Sequence, residues 1–310
     1  MNSPSGLRIV FFGTPEFAAY ILRYLVDQGE HVVAAVTTPD KHQGRGMKMK
    51  SSAVKETVMQ LDIPVLTPLK HRDPQFIESL IELKADIFVV VAYKILPKEV
   101  FAIPRLGSFN VHASLLPKYR GAAPINWAII RGEQKTGVTT FLLDEKVDTG
   151  KMLLVKKTAI GSNETAGELH DKLMVLGAEA ALETLQGLAT GSLKPISQPN
   201  ESATPAPKIY PETCVINFHQ NREAVHNFIR GLSPHPGTVT ILPNGTKLKI
   251  LRSKVPMDFP EDISIGDFHP SADRKRLFVG TPDGAIELLE LQREGKRVMS
   301  AEEFLRGWRA

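Results

Sequence analysis

One cysteine, Cys214, is all that 310 residues contain. That excludes an intramolecular disulfide and a cysteine-based metal cluster, and a reducing, cytoplasmic compartment is the simplest expectation. Long hydrophobic runs are missing too. The first apolar run, Leu7 to Phe12, carries Arg8 and is far too short for a membrane helix or a signal segment. The G-x-G-x-x-G fingerprint of a dinucleotide-binding turn is also absent. In Gly13-Thr14-Pro15-Glu16, Pro15 stands where the second glycine must let the backbone approach a pyrophosphate, which disfavours hydride transfer. There is no metal-ligand pattern and no internal repeat. The net charge of +4 is too mild to indicate nucleic acid by itself.

What is present reads as two domains. Hydrophobic residues make up 42% of the chain, enough to fill sizeable cores. Leu7 to Phe12 and His31 to Thr37 read as strands, and Asp86 to Ala92 as a central parallel strand covered on both faces. Helices are expected from Thr14 as N-cap with Pro15 at the first helical position, and over Ser52 to Leu61 and Asp73 to Leu83. This alternation predicts a doubly wound, mostly parallel Rossmann-like α/β domain over residues 1–190. Thr165-Ala166-Gly167-Glu168 has capping-box spacing and opens its last long helix. Residues 191–209, with Pro195, Pro199, Pro205 and Pro207, read as a linker. Residues 210–310 carry short strand-like segments between Pro-Asn-Gly and Pro-Asp-Gly turns, the pattern of a small β-barrel.

The chemistry concentrates in Asn110-Val111-His112 and in Asp148 of Val147-Asp148-Thr149-Gly150. Two residues apart on a strand, Asn110 and His112 project from one side while Val111 turns away. Strand ends in α/β sheets are where ligands bind. A carboxamide, an imidazole and a carboxylate without a serine or cysteine nucleophile suit a reaction in which the substrate attacks and the protein stabilises a tetrahedral oxyanion. Taken alone, the trio is also compatible with groups that merely satisfy local backbone. Elsewhere, no acidic residue lies between Asp40 and Glu56, whereas Lys41, His42, Arg45, Lys48, Lys50 and Lys55 do. Such a glycine-bearing basic loop is either a solvated face or a phosphate-binding element, with Arg45 between Gly44 and Gly46 free to reach. Lys247, Lys249, Arg252 and Lys254 recur at mostly two-residue spacing, a candidate basic stripe on one strand face or an ordinary solvated sheet surface.

The stretch from Phe109 to Ile125, Phe-Asn-Val-His-Ala-Ser-Leu-Leu-Pro-Lys-Tyr-Arg-Gly-Ala-Ala-Pro-Ile, resembles the signature of the folate-dependent formyltransferases, and Val147-Asp148-Thr149-Gly150 matches that family's aspartate loop. Further matches run from Phe12-Gly13-Thr14-Pro15-Glu16-Phe17 through Gly44-Arg45-Gly46 and Arg230 to Gly237, ending with Gly295 to Leu305, so that nearly the whole chain is covered. Within the family, the chain is most similar to the branch that formylates methionine on initiator tRNA. The resemblance implies 10-formyltetrahydrofolate as formyl donor and co-substrate, with no metal, and methionine-charged initiator tRNA as partner. It implies that Asn110 and His112 donate to the oxyanion while Asp148 orients the imidazole, favours its protonated form and takes a proton.

For the folate, the resemblance implies walls formed by Ser114, Leu115, Leu116 and Pro117, and by Val91, Tyr93 and Ile95. There the sequence departs from the family's commoner Val-Ala-Tyr-Gly-x-Ile-Leu-Pro, being one residue shorter with Lys94 in place of the glycine. A second departure is His235, where tryptophan is common. The tRNA is expected on Arg45, Lys48 and Lys50 and on Lys247 and Lys249, the latter in an oligonucleotide-binding (OB)-like C-terminal barrel. A monomer is expected. The nearest rival is a formyltransferase acting on a nucleotide-linked amino sugar, which would leave the basic loop without a phosphate backbone to track. Glycinamide ribonucleotide formylation would explain neither that loop nor the extra domain. A non-catalytic tRNA- or folate-binding module would leave the intact trio without a purpose.

Overall fold

The computed structural model describes residues 3–43, 48–242 and 245–308. Its strands are β1 (Arg8–Gly13), β2 (His31–Val36), β3 (Lys41–Gln43), β4 (Lys48–Lys50), β5 (Val65–Leu66), β6 (Ile87–Val91), β7 (Ser108–His112), β8 (Lys135–Leu142) and β9 (Met152–Ala159), followed by β10 (Thr238–Ile241), β11 (Lys247–Lys254), β12 (Phe268–Pro270), β13 (Leu277–Thr281), β14 (Gly284–Arg293) and β15 (Met299–Ser300). The helices are α1 (Glu16–Asp27), α2 (Ala53–Gln60), α3 (Pro74–Glu82), α4 (Lys98–Phe101), α5 (Pro124–Ile130), α6 (Ala166–Ala189), α7 (Arg222–Gly231) and α8 (Ala301–Arg306). Two compact units interleave along the chain. One comprises Met1–Gly121, Gly137–Thr158 and Asp171–Pro205, the other Ala122–Thr136, Ala159–His170 and Ala206–Ala310.

The first unit is built on a seven-stranded sheet in the order β5-β2-β1-β6-β7-β8-β9. Strands β2, β1, β6 and β7 run parallel, and β8 turns antiparallel against β7. Every residue of β6 is buried, as its unbroken apolar run predicts for a strand covered on both faces. One face is filled by Val10, Phe12, Val36, Phe88 and Val90 against Phe76, Leu80 and Val100. Ser52 and Asp73, where the two helices are expected to begin, cap α2 and α3 through their side chains. Thr14 does not cap α1. The helix starts one residue later, with Pro15 in the cap position, because the Pro15 carbonyl accepts from both Ala18 and Ala19.

Two further differences bear on function. The basic loop is not irregular throughout: Lys41–Gln43 and Lys48–Lys50 pair as a short antiparallel ladder, too brief and too polar to show in an apolar periodicity. The proline-rich segment after α6 also has fixed partners, described below. In the second unit, β10-β11-β14-β13-β12 form an antiparallel sheet with β15 added to β14. Its core gathers Ile229, Leu248, Ile250, Leu277, Ile286, Leu288, Leu291, Phe304 and Trp308. Ser300 and Glu303 close a reciprocal capping box at the start of α8, as their spacing predicts.

Candidate active site

The parallel strands β1, β6 and β7 deliver their C-terminal ends side by side, with Gly13 paired to Val91 and Val90 paired to Asn110. The loop after β6 therefore leaves the sheet next to the loop after β7, the edge at which doubly wound sheets bind ligands. On β7, Asn110 is half-buried and His112 is buried. Val111 turns to the opposite face, toward Gly177 of α6.

Both ring nitrogens of His112 face acceptors. Nε2 lies 2.9 Å from the Tyr119 carbonyl, which can only accept, so this nitrogen carries a proton. Nδ1 lies 3.9 Å from Asp148 Oδ2, beyond direct hydrogen-bond reach. The same Asp148 oxygen accepts the Gly121 N–H at 2.8 Å. Asp148 and Tyr119 both adopt left-handed backbone, with φ of 55° and 62°. For an aspartate that is tolerable; for a tyrosine it is a strained state of order 1–3 kcal/mol that the surroundings must hold.

Those surroundings come from the proline-rich segment. Met152 and Ile196 exchange two backbone hydrogen bonds of 2.8 Å. Gln198, buried, donates to the carbonyls of Asp148 at 3.0 Å and Gly150 at 2.8 Å, and accepts from Arg120 at 3.1 and 2.6 Å. Arg120 also donates to Asn200 at 2.7 Å. Thr204 Oγ1 accepts the Tyr119 N–H at 2.9 Å, and its carbonyl accepts the Arg120 N–H at 2.9 Å. The sequence offered no periodicity to mark these residues; the one local signal was polar side chains among prolines, which reads as a linker. A groove of about 700 Å³ lined by Arg120, Asp144, Lys146, Thr149 and Asn200 opens beside the Asp148 loop.

Gly150 is required by close approach. A Cβ there would stand 1.6 Å from the Leu142 carbonyl oxygen. The aspartate loop can thus run against the end of β8 only with a glycine at that position.

The residues expected at a folate wall are placed as follows. Ser114 is buried, with its hydroxyl donating to the Lys118 carbonyl at 2.7 Å. Thr139 braces the same loop, donating to the Ser114 carbonyl at 2.7 Å and accepting the Leu116 N–H at 3.2 Å. Leu116 and Pro117 are buried and Leu115 is half-buried. On the other side, Val91 is buried, Ala92 has φ of 45° and is exposed, and Ile95 is 76% exposed. Tyr93 packs edge-on against Phe12 and His71, and its hydroxyl lies 3.0 Å from His71 Nε2. Burial pushes the Tyr93 phenol up to about 12 and, with the charge of Lys94 second, pulls the His71 imidazole down. Ala92, Ile95 and Leu115 thus leave backbone and apolar side chain open at the ends of β6 and β7.

The basic positions are more mixed than the sequence suggests. Arg45 lies outside the described residues. Lys48 and Lys50 sit on β4, with Lys50 exposed. Lys55 is paired at 2.7 Å with Asp40, whose carboxyl is held below its usual range chiefly by that hydrogen bond. On β11, an irregularity between Ile250 and Arg252 restores the alternation, so the uneven spacing still leaves Leu248, Ile250 and Ser253 buried and the basic residues more open. Lys247 is exposed. Lys249, by contrast, donates to the Pro236 carbonyl at 2.9 Å, Arg252 pairs with Glu168 at 2.5 Å, and Lys254 pairs with Glu287 at 3.2 Å. Much of the stripe's charge is therefore met by the protein itself.

Among the described residues, no group of three or more His, Cys, Asp or Glu side chains could hold a metal ion, and no helix is long and apolar enough to cross a membrane.

Comparison with known proteins agrees with this architecture. Residues 7–185 match the formyl transferase family model and residues 208–309 the formyl transferase C-terminal domain. A methionyl-tRNA formyltransferase of Caldanaerobacter subterraneus is 47% identical over 303 residues, covering 97% of both chains. That of Bacteroides thetaiotaomicron is 43% identical over 311 residues, covering 98% of this chain and 96% of the relative. Among solved structures, an N-formyltransferase from Helicobacter canadensis in complex with folinic acid and dTDP-3-aminofucose superposes with a TM-score of 0.68 at 23% identity, covering 93% of this chain and 99% of the other. HypX from Aquifex aeolicus in complex with tetrahydrofolic acid gives 0.63 at 17% identity, over 96% of this chain and 47% of the other. At those identities the structural matches establish the shared fold, while the full-length sequence matches go further: the chain belongs to the formyl transferase family and, within it, groups with the methionyl-tRNA formyltransferases.

Proposed function

We propose that this protein transfers the formyl group of 10-formyltetrahydrofolate to the α-amine of methionine esterified to initiator tRNA. The observation that carries the reading is full-length similarity of 42–47% to methionyl-tRNA formyltransferases, spanning both family domains. An amino-sugar acceptor is favoured less, because the sugar formyltransferase WlaRD and the Helicobacter canadensis enzyme share the fold at only 21% and 23% identity.

In the proposed mechanism, the amine attacks the formyl carbon and the carbonyl oxygen gains negative charge. Asn110 donates its carboxamide N–H to that oxygen, which its partial exposure at the end of β7 permits. His112 donates a second N–H from Nε2, sharing that proton between the oxyanion and the Tyr119 carbonyl that holds the ring in place. Asp148, facing Nδ1, takes the proton released by the attacking nitrogen. When the bond from the formyl carbon to N10 breaks, that proton ends on the departing folate nitrogen. Formylated methionyl-tRNA and tetrahydrofolate are the products, with no net proton gained or lost. Removal of one oxyanion donor costs about 10²–10³ in rate.

On this reading, residues 1–190 form the catalytic domain, 191–209 the connecting segment and 210–310 an OB-like RNA-contacting domain. Arg45, Lys48 and Lys50 with Lys247 and Lys249 neutralise tRNA phosphates, while Ser114–Pro117 and Val91, Tyr93 and Ile95 border the folate. The protein works as a cytoplasmic monomer. The deciding experiment offers 10-formyltetrahydrofolate with either methionine-charged initiator tRNA or a nucleotide-linked amino sugar. Formylation of the tRNA alone supports the reading; formylation of the sugar alone overturns it and reassigns the basic loop.

A further inference from the structure

We infer that Gln198 and Thr204 are positioning residues that set the geometry of the His112–Asp148 pair; the inference rests on the formyl-transfer reading above. The pair is not self-supporting. Its two side chains stand 3.9 Å apart, and each is fixed by a loop whose key residue has left-handed backbone. On the His112 side that residue is Tyr119, whose carbonyl receives Nε2. On the other side it is Asp148 itself. Both loops are tied to one external element, residues 196–205.

The ties are chemically specific. Gln198 spends both amide protons on the carbonyls of Asp148 and Gly150, on either side of Thr149, and its oxygen accepts two guanidinium N–H groups of Arg120. Carbonyls only accept and a guanidinium only donates, so the amide has one permitted orientation and none of these contacts survives its reversal. Thr204 presents its hydroxyl oxygen to the Tyr119 N–H and its carbonyl to the Arg120 N–H. Arg120 is thus gripped at its backbone by Thr204 and at its side chain by Gln198, one residue from the carbonyl that holds His112. The reciprocal Met152–Ile196 hydrogen bonds and the parallel bridge from Arg120 to Pro205 anchor the two ends of the segment. Asn200 and Glu201, between those ties, are exposed. A surface segment that turns a buried glutamine inward onto a reactive loop therefore does more than join two domains.

A supporting shell of this kind acts on catalysis through distance, and a misplacement of about 1 Å costs about 10²-fold. The test compares kcat and KM for both substrates in Gln198→Ala, Thr204→Val and Thr204→Ser, with thermal melting as a control. Gln198→Ala is expected to lower kcat by about 10²-fold with both KM values within about twofold, since the lost interactions act only on the reacting pair. Thr204→Val keeps the shape but removes the acceptor for Tyr119. It is expected to lower kcat and alter its pH profile, whereas Thr204→Ser overlays the wild type in both. Wild-type kcat in Gln198→Ala and Thr204→Val overturns the inference, as does a loss confined to KM or a Thr204→Ser variant no better than Thr204→Val. Should Gln198→Ala fail to fold, the valine–serine pair alone decides. A wild-type protein that does not formylate charged tRNA overturns the proposed function instead.

Discussion

Asp148→Asn isolates one charge with little else disturbed. The aspartate sits at φ 55°, a region that asparagine enters at least as readily, so the backbone of the loop has no reason to move. Its Oδ2 accepts the Gly121 N–H at 2.8 Å, and the carboxamide oxygen can take over that bond. The backbone carbonyl remains held by Gln198 at 3.0 Å. What disappears is the negative charge facing His112 Nδ1 and the ability to take a proton from the attacking nitrogen. Loss of a general base typically costs 10²–10⁴ in rate, so kcat is expected to fall by about that factor while the melting temperature stays within about 3 °C. Asp148→Ala is the complementary variant: it loses the same charge, but also the Gly121 bond, and places an alanine in left-handed backbone at about 1 kcal/mol or more. The two variants should therefore match in kcat and differ in stability. Single-turnover formylation of charged tRNA under saturating folate measures the first, and thermal denaturation the second. Turnover in Asp148→Asn within tenfold of wild type would refute the reasoning and move proton transfer to another group.

The other predictions test neighbouring parts of the argument. A Cβ at Gly150 would lie about 1.4 Å short of the closest tolerable approach to the Leu142 carbonyl, so Gly150→Ala should shift the aspartate loop, lower kcat about 10²-fold and destabilise by about 1–3 kcal/mol; a variant with wild-type kcat and melting temperature would show that the loop relaxes freely. Arg45→Ala should raise the KM for charged tRNA and leave that for folate unchanged, and an equal loss for both would mean that the basic loop acts at the folate site instead. Glu168 is held at about 2, first by the Thr165 backbone N–H and then by Arg252, against an ordinary 4.5. A depressed carboxylate stabilises above its ordinary value and loses that contribution as pH falls toward about 2, so the melting difference between wild type and Glu168→Gln should be largest near neutrality and shrink through that window. A difference independent of pH would refute the assignment.

The strand that carries Asn110 and His112 was legible from its own residue spacing and from the strand beside it. An unbroken apolar run at Ile87–Val91 fixes a central strand, and the period of two places Asn110 and His112 together. The capping boxes at Thr165 and Ser300 were equally readable, since both partners of each lie within four residues. The helix start at Thr14 was misjudged by one residue because a proline satisfies either the cap position or the first helical position, and only the observed carbonyl acceptor decides between them. The short basic ladder escaped because three-residue strands, with Met49 their one apolar side chain, leave no periodic signature.

The supporting shell was illegible for a different reason. Gln198 lies 48 residues from Gly150 and 78 from Arg120, and Thr204 lies 85 from Tyr119, so no local pattern can announce their contacts. Prolines in this segment send the same signal whether the chain wanders or is pinned, because they report only that helix and sheet are unavailable. The composition of a linker is therefore also the composition of a brace: its polar side chains, spared from any ladder of their own, are free to satisfy the backbone of another loop. Here that loop carries Asp148 at φ 55°, a conformation its own sequence does not enforce. Asn110, His112 and Asp148 stand within recognisable motifs, whereas Gln198 and Thr204 reach their loops from 48 to 85 residues away.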